Sequence, residues 1–179
     1  SLFEKSSFDL IYALPQQTPQ QWEKELVSAL KLAQGHLSLY QLIIEPGTSF
    51  YTQYKRGDFD LPSDENASRM YDLTRDIVAQ YGYKDYEVSN YAVPGQECRH
   101  NLLYWNYEDY ICIGPGAHGR LTLDDKKYAL KNYKLPETWL EKVNKHGHGQ
   151  EIYEDLTKVD QITEHLLMGL RLKSGISKE

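Results

Sequence analysis

The sequence predicts an α/β fold with parallel strands at its N-terminal end, followed by an α+β region. Three observations predict it. Residues 8–14 (FDLIYAL) and 37–44 (LSLYQLII) are apolar on both faces, as in strands of a parallel sheet covered by helices. A capped helical pattern separates these two strands, so that they form one βαβ unit. After residue 63 helical and strand patterns alternate without a second such unit, too little for a closed barrel.

Composition excludes several classes of protein. The net charge is −6 and no basic cluster occurs, which argues against a nucleic-acid surface. No apolar run approaches the roughly 18 residues of a membrane span, so that any membrane contact is at most peripheral. Cys98 and Cys112 form no CxxC pair and indicate neither a metal knuckle nor a disulfide framework. The start lacks the layout of a secretory signal. These features predict a cytoplasmic protein.

Alternation along the first strand places Asp9, Ile11 and Ala13 on one face. A carboxylate on a buried face needs a partner or a ligand. Two interpretations of Asp9 follow from this alone: an ion pair with an arginine or lysine, or a contact to a bound molecule.

The first helix carries the clearest local signals. Residues 18–21 (TPQQ) supply an N-cap, a proline at the first helical position and a glutamine three residues after the cap. Gly35 is predicted to cap its C-terminus. The predicted buried stripe consists of Trp22, Leu26, Ala29, Leu30 and Ala33. Ligands of βαβ units bind at the carboxyl ends of the strands, here residues 14–16 and 44–48.

The rest of the chain predicts four further helices and three short strands. The helices are a short one reaching Tyr54, one from Ser63 to Gly82, one from Pro136 and one capped by Thr157. The strands are residues 86–89, 110–113 and 120–123, with a Pro94-Gly95 turn after the first and a charged turn at 124–127. The last helix is predicted to face inward with Val159, Ile162, Leu166, Leu167 and Leu170. His146 and His148 lie in a glycine loop and are interpreted as exposed histidines, not metal ligands.

Residues 98–119 (CRHNLLYWNYEDYICIGPGAHG) combine aromatic side chains with histidines and a Gly-Pro-Gly turn. Aromatic area with a few fixed polar groups is typical of a wall that faces a ligand. A buried turn whose histidine and asparagine satisfy backbone groups explains the same residues. The composition does not separate these two interpretations.

Six motifs in order resemble one family. They are DLIYALPQQT at 9–18, HLSLYQLIIEPGT at 36–48, YEVSNYA at 86–92, RHNLLYW at 99–105, IGPGAHGRL at 113–121 and GLRLKSGI at 169–176. The chain is thereby similar to the HemW-type branch of the oxygen-independent coproporphyrinogen III oxidase family, which are radical SAM enzymes. The resemblance spans essentially the whole chain. One departure is Ala13, where the family usually has glycine, and alanine also leaves space inside a barrel.

The resemblance implies two sets of site residues. In coproporphyrinogen oxidases of this family the positions that match Asp9 and Ile11 line the S-adenosylmethionine site, and Ile43 matches an adenine contact. HemW-like proteins are similar to haem chaperones that pass haem to client proteins. Imidazoles such as His100 or His118 could ligate haem iron. The other haem-site candidates are Asn101, Tyr104 and Trp105. A buried His100 that only packs and hydrogen-bonds is the alternative interpretation.

The family also carries, earlier in the chain, a CxxxCxxC motif that holds a 4Fe–4S cluster. Cys98 and Cys112 cannot replace it, because a cluster needs three or four thiolates together. The resemblance therefore implies a fragment: residues 1–62 as the last strands and helix of a partial (β/α)6 barrel, and 63–179 as a family-specific α+β region that stops before the C-terminal helical portion. Such a fragment alone is expected to be inactive.

Three functions remain open at this stage. The HNxxYW motif favours a haem chaperone whose partners are haem and a haem-requiring client. The second is a coproporphyrinogen III oxidase acting on a porphyrinogen. The third is a binding module without redox chemistry.

Overall fold

The computed structural model describes residues 6–176 and divides into two compact units, residues 1–98 and 99–179. The first unit contains strands β1 (Ser6–Tyr12), β2 (Gly35–Gln41), β3 (Lys84–Asp85) and β4 (Asn90–Ala92), with helices α1 (Pro19–Leu30), α2 (Ser49–Arg56) and α3 (Asp64–Gln80). The second contains α4 (Arg99–Trp105), β5 (His118–Leu123), β6 (Lys126–Asn132), α5 (Pro136–His146), β7 (Gln150–Asp155) and α6 (Lys158–Gly169). The molecule is mixed α/β, as predicted.

The βαβ unit of the sequence prediction is present. Strands β1 and β2 pair in parallel, from Ser6 opposite Gly35 to Tyr12 opposite Gln41. Strand β4 pairs antiparallel with β2 and β3 pairs with β4, so that the sheet has the order β1-β2-β4-β3. The parallel pairing of the first two strands is therefore confirmed.

Helices α1 and α3 cover one face of this sheet and form the core of the first unit. Thr18 and Gln21 make the predicted capping box at the start of α1. The Trp22 indole nitrogen donates a hydrogen bond of 2.7 Å to Thr74 Oγ1, which joins the two helices in the core. The core side chains include Trp22, Leu26, Leu37, Leu39, Met70, Val78 and Tyr91. Helix α3 was predicted to begin at Ser63. It begins at Asp64, and Ser63 is its N-cap.

The second unit is built on a three-stranded antiparallel sheet of order β5-β6-β7. Asp124 and Asp125 form the tight turn between β5 and β6, and both have positive φ. The predicted charged turn at 124–127 is thus shorter, because Lys126 and Lys127 already pair in β6 with Leu123 and Thr122. Neither β6 nor β7 was predicted from the sequence as a strand.

Several predicted boundaries were wrong. Gly35 does not cap α1, which ends at Leu30; its φ of 89° instead serves the entry into β2. Residues 86–89 are not a strand but join the short strands β3 and β4. Residues 110–113 are not a strand either, since only Tyr110 makes an isolated bridge, to Arg120. Residues 86–89 bond to strand β2 through the Ser89 carbonyl, which accepts a hydrogen bond of 2.8 Å from the Leu39 backbone N–H.

Two burial predictions were also wrong. Strand β1 is buried on one face only: Tyr12 is 3% exposed, whereas Ile11 is 49% exposed and Asp9 is exposed. The apolar stripe of α6 faces outward, because the opposite side of that helix contacts α4 and holds the Arg120 side chain of β5 through Glu164. The boundary between the two compact units, after Cys98, lies later in the chain than the predicted boundary after residue 62. Assignment of residues 1–62 to a barrel and 63–179 to a family-specific region stays a prediction.

Candidate functional site

The face of the first sheet that α1 and α3 leave uncovered carries polar residues of three strands. It is exposed at Asp9 on β1, whereas Ser38 on β2 and Asn90 on β4 are buried. Asp9 on β1 lies opposite Ser38 on β2, and Ser38 lies opposite Asn90 on β4. Paired residues share a face of a sheet, so these three side chains form one row. One step nearer the carboxyl end of β1, Ile11 lies opposite Tyr40. The predicted common face of Asp9 and Ile11 is therefore present.

A histidine lies on the same face, one step toward the start of β1. The ring of His36 is held at both nitrogens, with Nδ1 2.7 Å from Ser7 Oγ and Nε2 2.8 Å from Tyr86 Oη. Burial lowers the pKa of His36, and the negative charges of Asp9 and Glu87 oppose this shift in part. The imidazole is thus maintained in its neutral form at neutral pH.

Glu87 places a buried carboxylate beside this row. Its Oε1 atom accepts hydrogen bonds from the Ser89 backbone N–H at 2.8 Å and from the Asn90 side-chain amide. These bonds fix the Asn90 amide, because a carboxylate can only accept from the NH₂ group. Asn90 Oδ1 is buried and accepts no hydrogen bond from the residues that the structure describes. This buried acceptor lies in the same row as Asp9, two strands away from it.

Strand β1 ends in a tight loop that leads to α1. Ala13 has a φ of 58° and is 4% exposed. Glycine adopts this left-handed conformation without steric cost. The backbone conformation, and not only the space inside a barrel, is therefore a physical reason for glycine at this position of the family motif. The Leu14 backbone N–H donates 3.2 Å to Gln17 Oε1, and the Gln17 amide donates to Glu25. This loop fixes the carboxyl end of β1.

Of the three residues predicted to contact S-adenosylmethionine, two lie on strand β1 and the third lies outside the sheet. Asp9 and Ile11 lie on the uncovered face, where a carboxylate can accept hydrogen bonds from ribose hydroxyls and Ile11 with Tyr40 (41% exposed) can contact a flat ring. Ile43 lies beyond the end of β2 and is 75% exposed. The residues on this face fit a nucleoside with donor groups.

The predicted haem residues lie in the second unit, most of them on one short helix. His100, Asn101, Tyr104 and Trp105 are all part of α4. The exposed His100 ring meets Tyr104 edge-on at 4.6 Å, and Tyr104 meets Tyr110 at 4.4 Å. Arg171 lies 4.4 Å from the centre of the Trp105 ring. An exposed imidazole does not fit the interpretation of His100 as a buried packing element.

His118 lies on a different element from the other haem candidates. It is an exposed residue at the start of β5, opposite Lys131 of β6. The structure therefore joins His100 and Tyr104 directly, and places His118 on the hairpin.

The described residues do not fit an iron–sulfur cluster. Within residues 6–176 no group of three or more His, Cys, Asp or Glu side chains is placed to hold a metal ion. Cys98 and Cys112 are both half-buried free thiols, and the Cys112 thiol donates to Asn132 Oδ1 at 3.6 Å. In the same part of the chain, no helix combines the length and apolar character that a membrane crossing requires.

Sequence reasoning missed His36, Ser38, Glu87 and Asn90 as members of the candidate site. They lie inside two of the quoted motifs, HLSLYQL and YEVSNYA, which was the available signal. Their convergence depends on the antiparallel pairing of β4 with β2, which the prediction of a strand at 86–89 did not contain.

Comparison with known proteins gives a consistent result. The chain is 40% identical over 179 residues to "Heme chaperone HemW" of Lactococcus lactis, covering 99% of this chain and 45% of that protein. It is 35% identical to "Radical S-adenosyl methionine domain-containing protein 1, mitochondrial" of Bos taurus, covering 97% of this chain and 40% of the relative. The chain belongs to the HemW-type family of radical SAM proteins. It spans less than half the length of these relatives.

A solved structure of similar fold also matches the chain. Coproporphyrinogen III oxidase (HemN) of Escherichia coli, described as a radical SAM enzyme, superposes with a TM-score of 0.74 over 95% of this chain and 41% of that one, at 24% identity. At this identity the likeness shows the fold alone. No family model matches the chain.

Proposed function

We propose that the HemW-type protein to which this chain belongs is a haem chaperone, which binds haem and delivers it to a client protein. One observation carries the proposal: identity of 40% to a protein named as a haem chaperone extends over 99% of the chain. The HNLLYW motif of α4 lies within that region and presents His100 to solvent.

The first unit would supply part of the S-adenosylmethionine site of this protein. We infer that β1, α1 and β2 are the last repeat of a partial (β/α)6 barrel, which the parallel pairing of β1 with β2 and the likeness in fold to HemN support. Asp9 would accept hydrogen bonds from the ribose, and Ile11 would pack on the nucleoside. A 4Fe–4S cluster, which supplies the electron for radical SAM chemistry, would be held by residues outside this chain.

The second unit would bind the cargo. Neutral imidazole is a common ligand of haem iron, and an exposed ring such as that of His100 can approach the metal without unfolding α4. Tyr104 contacts the His100 ring and would limit its rotation. The haem-requiring client and a cytoplasmic location stay predictions, and the bovine relative carries a mitochondrial name.

A haem titration tests the proposal. It uses the gene-encoded protein, meaning the full-length protein that contains this chain. His100→Ala should shift the Soret band of bound haem and weaken binding, because an axial ligand is lost. His148→Ala, which removes an exposed imidazole from the loop after α5, is the matched control and should leave the spectrum unchanged. If His100→Ala leaves both the band and the affinity as they were, His100 is not a haem ligand. If the parent protein binds no haem, the chaperone proposal itself fails.

A further inference from the structure

The second unit contains a cavity between helix α5 and one face of its antiparallel sheet. Its volume of about 440 Å³ lies within the range of about 300 to 1,000 Å³ that is usual for small-molecule sites. Most of the lining is apolar and comes from residues 111–113, the sheet and α5: Ile111, Ile113, Leu121, Leu130, Trp139 and Val143. Because side chains alternate along β5, the cavity lies on the face of the sheet opposite to His118 and Arg120.

Two glycines bring the walls of this cavity together. A Cβ at Gly119 of β5 would lie 3.0 Å from the Cys112 backbone nitrogen, so glycine lets residues 110–112 pack directly on the sheet. A Cβ at Gly149 would clash with Cδ1 and Nε1 of Trp139, so the indole ring lies against the backbone there. Contacts with the backbone therefore define the two walls.

Several polar groups of the wall bond to one another. Asn132 Nδ2 donates a hydrogen bond of 2.8 Å to the Gly114 carbonyl, and Asn132 Oδ1 accepts one of 3.6 Å from the Cys112 thiol. His148 Nδ1 accepts from the Gln150 backbone N–H at 3.4 Å. The described residues that line the cavity include no Lys, Arg, Asp or Glu. A charged ligand would lose its hydration there without gaining an opposite charge, so the cavity favours neutral molecules.

The indole of Trp139 adds a donor that has no acceptor. Its Nε1 atom is buried and makes no hydrogen bond with any residue in the range 6–176. A buried donor without an acceptor is unfavourable, and a ligand that supplies the acceptor would remove this cost. Ile111 and Ile113 are 65% and 80% exposed, so the cavity is open on their side and a ligand can enter.

We propose that this cavity binds a neutral aromatic molecule that carries a carbonyl group, and that the Trp139 N–H donates a hydrogen bond to that carbonyl. A carbonyl oxygen only accepts hydrogen bonds, which matches a wall that offers an unused donor. The indole ring can pack against an aromatic ring, and the aliphatic side chains cover the rest of the ligand. The site is distinct from His100 on α4 and does not depend on haem binding.

Fluorescence titration with Prodan tests the proposal. Prodan is a neutral naphthyl ketone whose emission moves to shorter wavelength in apolar surroundings, and we expect saturable binding with such a shift in the gene-encoded protein. Val143→Phe adds a ring to the cavity and should weaken binding roughly tenfold or more. Leu140→Phe is the matched control on the same helix. Leu140 is 53% exposed and does not line the cavity, so this variant should bind as the wild type does.

Trp139→Phe separates the hydrogen bond from the packing, because it keeps an aromatic ring and removes the N–H. The affinity should fall roughly 2- to 10-fold, which is the worth of one hydrogen bond. The emission of the dye that still binds should move further to shorter wavelength, because its ketone loses a hydrogen bond. An indole that only packs would not produce this second shift. Circular dichroism of each variant checks that the fold is kept.

Three results would overturn the proposal. A lack of saturable binding would mean that the cavity does not take this class of ligand. Wild-type affinity in Val143→Phe would place the dye at another site. An unchanged emission maximum in Trp139→Phe would mean that the indole is not the donor.

Discussion

His36 connects the candidate site to the stability of the first unit. Its ring is buried between Ser7 and Tyr86, and this burial lowers its pKa below the ordinary value of 6.5. Asp9 and Glu87 raise the pKa in part but do not reverse the shift. A histidine whose folded-state pKa is depressed binds its proton more readily when the chain is unfolded.

The first prediction concerns the pH dependence of this histidine. The stabilising contribution of neutral His36 should be complete above pH 6.5 and should be lost as the pH falls from there toward the lower folded-state pKa. Urea denaturation between pH 7.5 and 5.5 should thus show a steeper loss of unfolding free energy for the wild type than for His36→Gln. Identical slopes would mean that His36 is not held neutral by its surroundings.

The second prediction concerns the Arg120–Glu164 pair. The hydrogen bonds from Arg120 are the main cause that lowers the pKa of Glu164 below its ordinary value of 4.5. The two side chains are 18% and 23% exposed, so Glu164→Gln should cost about 1 to 2 kcal/mol of unfolding free energy at pH 7. A carboxylate whose pKa is depressed by folding stabilises the folded state at pH values above its unfolded-state pKa. It loses this contribution as the pH falls toward its folded-state pKa. The difference between variant and wild type should therefore shrink below about pH 4.5. A pH-independent difference would assign the cost to packing.

At the scale of elements, helices with strong caps were predictable from sequence and short strands were not. Thr18, Ser63 and Thr157 each cap the helix that the sequence assigned to them. Strands β3 and β4 have two and three residues, and they join the sheet only because β4 pairs with β2, which is distant in sequence. The spacing of the apolar residues in α6 identified the stripe, but periodicity does not state what covers it.

The third prediction concerns the β5–β6 turn. Asp124 and Asp125 have φ values of 50° and 61°, a conformation in which a side chain clashes with the backbone. Tight hairpin turns of this kind prefer glycine at the second central position. Asp125→Gly should raise the unfolding free energy by roughly 0.5 to 1 kcal/mol, measured by urea denaturation. Asp125→Ala keeps the Cβ and is the control. A stabilisation by alanine equal to that by glycine would mean that charge, not φ, is the cause.

At the scale of the whole molecule, the sequence was sufficient to predict the family and the common face of Asp9 and Ile11. It did not predict how exposed that face is. Burial depends on neighbouring elements, and the chain matches less than half of its relatives' length. The polar row of Asp9, Ser38 and Asn90 appeared only with the strand register.

We propose that Asp9 on β1 binds S-adenosylmethionine. Calorimetric titration of the gene-encoded protein, purified without oxygen, tests it most directly. Asp9→Ala should weaken binding by about 1 to 3 kcal/mol, roughly 5- to 150-fold, because a charge-assisted hydrogen bond is lost. Asp60→Ala, which removes an exposed loop carboxylate, should leave the affinity unchanged. An Asp9→Ala protein that binds as tightly as the wild type would contradict the account.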